Sequence, residues 1–189
     1  MPSEQRPYWL LLLLLLAGSS SANDFGVVRF DCSLPQEGEL VLVDTRIVYY
    51  LSEEVLEALH NGLPLHFALR LRLRRHRAWP WEMDIYSGQR NYRIHYHPLA
   101  SLYQVTDQQS GQVETFVTLA AALDALGQID PFTLRPRESL LEGRRYYLRM
   151  RAELDLDQLP LPLRPLAYLT PAWNLASEWQ RCLLVRYEE

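Results

Sequence analysis

Lysine is absent from this 189-residue sequence, so all 19 of its basic side chains other than histidine are arginine. A GC-rich genome would encode that bias, and arginine is also the better partner for planar anions. A strong net charge is missing too. The formal value of −4 gives no global attraction to nucleic acid or to an anionic membrane. Cysteine is confined to Cys32 and Cys182, and neither sits in a motif that would activate a thiol. No Gly-x-Ser-x-Gly elbow is present, which removes the usual signature of a serine hydrolase. Internal repeats are lacking, as is any linker long enough to divide the chain. Only one apolar run stands out, and no second stretch approaches spanning length. What is abundant is hydrophobic side chain, at 48%, enough for one sizeable core and too much for global disorder.

The apolar run belongs to an export leader. Arg6 and the terminal amine precede Tyr8 to Ala17, a block built on Leu10 to Leu16. Gly18 and Ser19 break it, and Ser20-Ser21-Ala22 offers small residues for cleavage. This is the three-part order of a secretory signal over residues 1–22. The block is half of the ~20 residues that a membrane-spanning helix needs. A soluble periplasmic domain over residues 23–189, with no integral membrane segment after cleavage, is the expectation. Export would place Cys32 and Cys182 in an oxidising compartment, where a disulfide can form. Two buried free thiols are the alternative, because sequence does not set the distance between the two α-carbons.

Along the mature chain the dominant period is two. Phe25 to Ser33, Glu39 to Leu51, Leu63 to Trp79, Gln89 to Val105, Gln112 to Val117, Arg144 to Leu156 and Trp179 to Tyr187 all read as strands. Two short helices interrupt them. One runs from Ser52 as N-cap to Asn61-Gly62, and the other is capped by Thr118 and ends at Gly127. Pro131 to Pro136 reads as irregular, and Leu159 to Pro171, with four prolines, as a crossover strap. Trp173 and Trp179 are expected to pack into the core from that strap. Regular β-α-β alternation is absent. The pattern predicts an all-β fold with minor α, an antiparallel immunoglobulin-like β-sandwich with two short inserted helices.

Three strands alternate apolar with basic residues, and this gives the strongest candidate surface. Arg70, Arg72 and Arg74 lie on one strand, Arg93 on the next, and Arg145, Arg149 and Arg151 on a third. Were these strands in one sheet, alternation would gather their guanidinium groups on one face. Such a face either binds an anionic partner or is neutralised by neighbouring carboxylates such as Glu53, Glu57, Asp155, Glu188 and Glu189. His95-x-His97, with His76 on the preceding strand, has the residue types of a metal site. The same face is rich in arginine, which opposes a cation, so solvated histidines are expected and no metal or cofactor. Asp155-x-Asp157 could be imagined as a hydrolytic carboxylate pair, but reads better as a strand end entering a loop.

The C-terminal half also carries a resemblance. The run Arg144-Arg145-Tyr146-Tyr147-Leu148-Arg149-Met150-Arg151-Ala152-Glu153-Leu154 is followed by Leu161-Pro162-Leu163-Arg164-Pro165-Leu166. Then comes Pro171-Ala172-Trp173-Asn174-Leu175-Ala176-Ser177-Glu178-Trp179. Together they resemble a bacterial domain-of-unknown-function family, number 4390. The resemblance implies an exported protein of Gram-negative bacteria and supplies no catalytic residue. The functional expectation is a non-enzymatic envelope protein, a protein-interaction module using the basic sheet face. The alternative is a carrier or sensor of an anionic envelope ligand, such as a lipid headgroup or glycan; an unrecognised hydrolase is the remote one.

Overall fold

A computed structural model describes residues 25–34, 40–76, 84–137, 139–141 and 144–185. The expected leader, Trp79-Pro80-Trp81, Glu188 and Glu189 lie outside the described residues. Among the described residues, nine strands form two antiparallel sheets. The smaller has the order β1 (Phe25–Ser33), β2 (Val41–Tyr49), β7 (Gln128–Leu134). The larger has the order β6 (Val113–Phe116), β5 (Leu102–Asp107), β4 (Asp84–His97), β3 (Leu65–Arg75), β8 (Arg145–Leu154), β9 (Gln180–Val185). The expected two-sheet, mostly antiparallel architecture with minor helix is the one observed.

Alternation places the core. On β3, Leu65, Phe67, Leu69, Leu71 and Leu73 are all buried, while the interleaved Arg70, Arg72 and Arg74 are only partly so. On β8, Tyr146, Leu148, Met150, Ala152 and Leu154 continue the same inner face. The smaller sheet meets them with Phe25, Val41, Val43, Ile47 and Tyr49, and the Phe25, Tyr49 and Phe67 rings lie within 4.8–5.7 Å of one another. Each fully buried aliphatic or aromatic side chain of this kind contributes about 1.5–3 kcal/mol of transfer free energy. Cys32, near the end of β1, and Cys182 on β9 are joined by a disulfide with α-carbons 6.0 Å apart. That resolves the thiol alternatives and ties the two sheets together at one edge.

Both expected helices form. In α1 (Glu53–His60) the Ser52 hydroxyl accepts from the Val55 N–H, and Asn61 follows the last turn. In α2 (Leu119–Gly127) Thr118 caps Ala121 in the same way. Gly127 is needed for close packing rather than for its dihedral angles: a β-carbon there would lie 1.9 Å from the Ile47 carbonyl oxygen.

Three local readings are corrected. Gln89 to Val105 is two strands, because Pro98 opens a turn through Ser101 and lacks the N–H that a ladder needs. Pro131 to Pro136 is not irregular throughout: Pro131 lies within β7, on the outer edge of its sheet and beside a register shift, where proline costs least. A third helix, α3 (Arg164–Leu169), forms inside the proline-rich strap, with Pro165 in its first turn, where a missing N–H does no harm.

Candidate functional site

The candidate surface is the outer face of the larger sheet, and strand register assembles it. Arg70 stands opposite Arg151, Arg72 opposite Arg149, and Arg149 in turn opposite Arg181. Arg74 completes the outward series on β3, and Arg145 opens β8 at the upper end of the same face, exposed. Arg93 shares the face but not the cluster. It pairs with His66, which precedes Arg72 by six residues, about 20 Å along the strand.

The guanidinium groups then separate by partner. Arg70 is ion-paired with Glu153, whose carboxylate also reaches toward Arg151 at 3.6 Å. The hydrogen bond from Arg70 to Glu153 pushes the Arg70 guanidinium further up from its ordinary value. Arg74 is paired with Asp84. These two neutralising acids, Glu153 and Asp84, differ from the carboxylates named from sequence. The middle row is different in kind. Among the described residues no carboxylate pairs with Arg72, Arg149 or Arg181. Their contacts are aromatic: the Arg72 and Arg149 guanidinium carbons lie 5.3 and 4.9 Å from the Trp179 ring centroid, and that of Arg181 lies 4.9 Å from the Tyr147 ring. Cation–π contact partly substitutes for a counter-ion without cancelling the charge. Directly opposed cations on adjacent strands repel. Among the described residues the row is therefore three guanidinium groups on an aromatic bed with no acid on their donor edges, a geometry suited to a carboxylate or phosphate.

Trp179 and Arg181 were not part of the predicted surface. The strap pattern points Trp179 into the core; it lies half-buried on the outer face instead, because residues 175–177 follow the edge of β8 before β9 begins. Ser177 and Ala152 exchange bonds there: the Ser177 N–H donates to the Ala152 carbonyl, and the Ser177 hydroxyl accepts from the Ala152 N–H. The Trp179-x-Arg181 spacing carries the signal, since Trp179 directly precedes β9 and extended residues two apart share one face. Trp173 does pack against the core, as expected.

The remaining candidates have ordinary roles. The His95 and His97 rings meet edge to face with centroids 4.3 Å apart; His95 Nε2 donates to the Gly62 carbonyl at 3.1 Å, and His97 Nε2 is 3.4 Å from Gln104 Oε1. Burial, followed by the neighbouring His97, lowers the His95 pKa below the usual imidazole value. Among the described residues no group of three or more His, Cys, Asp or Glu side chains could hold a metal ion. Asp155 caps a 3₁₀ turn by accepting from the Asp157 N–H at 3.2 Å, and Asp157 accepts from the Tyr168 hydroxyl at 2.6 Å. A cleft of about 190 Å³ lies between β4, β5, α2 and β7, where Arg90 is paired with Asp107 at 2.9 Å and lies over the Phe132 ring. None of the helices among the described residues is long and apolar enough to cross a membrane.

No curated protein and no solved structure matches the chain. Residues 28–182 match the family described as Domain of unknown function (DUF4390), a span that runs from within β1 to within β9 and takes in the proline-rich strap and both cysteines. On that match over most of its length, the chain belongs to the DUF4390 family.

Proposed function

We propose that this protein is an exported, non-enzymatic interaction module of the bacterial envelope, which docks a carboxylate- or phosphate-bearing partner protein on the outer face of its larger sheet. The observation that carries the reading is the row Arg72, Arg149 and Arg181. Three cross-strand cations lie on Trp179 and Tyr147 with no carboxylate partner among the described residues. Unliganded, the row is a mild electrostatic liability. An anionic partner turns it into charge-assisted, often bidentate hydrogen bonds.

The experiment is a pull-down from envelope extract with wild-type protein and with the Arg72→Glu, Arg149→Glu double variant. Both positions are partly exposed, and the changes remove repulsion along with two cation–π contacts, so stability should shift by less than about 1 kcal/mol. The variant should fold and lose the partner, and high salt should have the same effect on wild type. A variant that folds and still recovers the same partner would sink the reading. Recovery of a lipid or glycan in place of a protein would favour an anionic-ligand carrier.

A further inference from the structure

A second surface, distinct from the arginine row, lies at the lower pole of the fold. The pole is defined by strand direction. β1 begins there at Phe25, β2 ends at Tyr49 opposite it, β3 begins at Leu65, and β8 ends at Leu154. The strap that follows β8 crosses this pole and is fastened to it. Leu159 and Ala167 are buried, the Ser52 hydroxyl donates to the Ala172 carbonyl at 2.7 Å, and the Arg164 Nε–H donates to the Leu159 carbonyl at 2.7 Å. The backbone is tied as well, with Leu163, Ala167 and Thr170 N–H groups donating to the carbonyls of Pro160, Leu163 and Leu166.

On this fixed support, leucines face outward. Leu161, Leu166 and Leu169 are 72%, 63% and 82% exposed, and Leu163 is 40% exposed. Tyr168 on the strap and Tyr50, just past the end of β2, are exposed as well. From Gln158 to Ser177 the only charged residue is Arg164. Monomers seldom expose such a cluster unless something covers it. A second copy seated on the leucines alone would bury on the order of 500 Å², short of the roughly 800 Å² per partner in a standard stable interface. Exposed leucines on a nearly uncharged strap that also carries an exposed tyrosine are instead the composition of a surface that sinks into the headgroup–acyl boundary. Phe25, the first described residue, lies at this same pole, so the mature chain enters the fold there. Asp157 and the exposed Glu53, Glu54 and Glu57 of α1 also lie at this end, so attraction to anionic lipid is not the driving force.

We propose that this pole docks on a lipid bilayer by shallow insertion of Leu161, Leu163, Leu166 and Leu169, driven by apolar burial rather than charge. The insertion leaves the arginine row, on the side of the sheet, free for its own partner.

The test is hydroxyl-radical footprinting of the mature chain, residues 23–189, alone and with phosphatidylcholine vesicles, read residue by residue by mass spectrometry. Labelling of the four leucines should fall several-fold on addition of vesicles, while the exposed Leu141 and Leu183 keep theirs. The protection should survive high salt, since it rests on burial. In a Leu166→Asp, Leu169→Asp chain the protection of Leu161 and Leu163 should disappear, with an unchanged melting profile as the control. If that chain melts early, Leu161→Asp alone should remove the protection of Leu166 and Leu169. Unchanged labelling with vesicles overturns the proposal. Protection that rises with protein concentration without vesicles also overturns it, because a second copy then covers the strap. Protection that requires anionic lipid and vanishes in salt overturns it too, since the contact then belongs to arginines.

Discussion

Replacing Cys32 and Cys182 together by serine tests how far the two sheets depend on their covalent link. The bridge joins β1, on the edge of the smaller sheet, to β9, on the edge of the larger, and these strands share no hydrogen-bonded ladder. It spans a sequence separation of 150 residues. Closing a loop of that length removes about 5 kcal/mol worth of denatured-state entropy in the chain-entropy account, although measured values more often fall near 2–4 kcal/mol. A domain of this size is stable by only about 5–15 kcal/mol. The link therefore represents a large share of net stability. β9 is the element most exposed to its loss, being six residues long and paired on one side to β8. Urea titration followed by circular dichroism is the assay, comparing oxidised wild type, reduced wild type and the double serine variant. The midpoint should drop in both perturbed forms by a matching amount. The denaturant slope should rise, because an uncrosslinked denatured chain exposes more surface. A change below about 0.5 kcal/mol, well under the entropic figure, would refute the reasoning. So would two titratable thiols in the native protein under denaturant without reductant.

Gly127→Ala should destabilise the fold by about 1–3 kcal/mol, as overpacking against backbone does, because the new β-carbon meets the Ile47 carbonyl; an unchanged thermal midpoint would count against the α2–β2 packing. Stability should fall as the pH drops below about 6.5, the usual imidazole value, because burial lowers the pKa of both His66 and His95 and the denatured chain therefore takes up protons first. The loss should level off once the pH lies below the folded-state values, and His66→Gln with His95→Gln should flatten that slope in pH-dependent urea titrations. Asp107, held below the usual carboxylate value by hydrogen bonds from Gln109 and Ser110 and by Arg90, despite burial acting the other way, should add its own loss only at still lower pH. Mass spectrometry of the protein from an envelope fraction should place its N-terminus at or near Asn23, and full-length chain in the cytosol would end the export reading.

Much of this was open to a reader of the sequence, because the sheet face a residue takes depends on a period of two that is local to each strand. Leu65 to Leu73 and Tyr146 to Leu154 announce their buried and outward sets without knowledge of any neighbour. Ser52 and Thr118 announce two helix starts, since a cap needs only its own turn. Even the arginines could be assigned an outward direction. What strand alternation does not contain is which strands are neighbours and in what register. Only the tertiary structure put Arg72 opposite Arg149 and Arg149 opposite Arg181, brought Glu153 to Arg70 and Asp84 to Arg74, and left Arg93 at the far end of the face. It alone laid Trp179 over the sheet rather than inside it, and brought Cys32 within 6.0 Å of Cys182. It also turned the proline-rich strap so that its leucines point outward. Those outcomes depend on contacts between residues far apart in the chain, whose free energies are shared among many partners and are not written in any one segment.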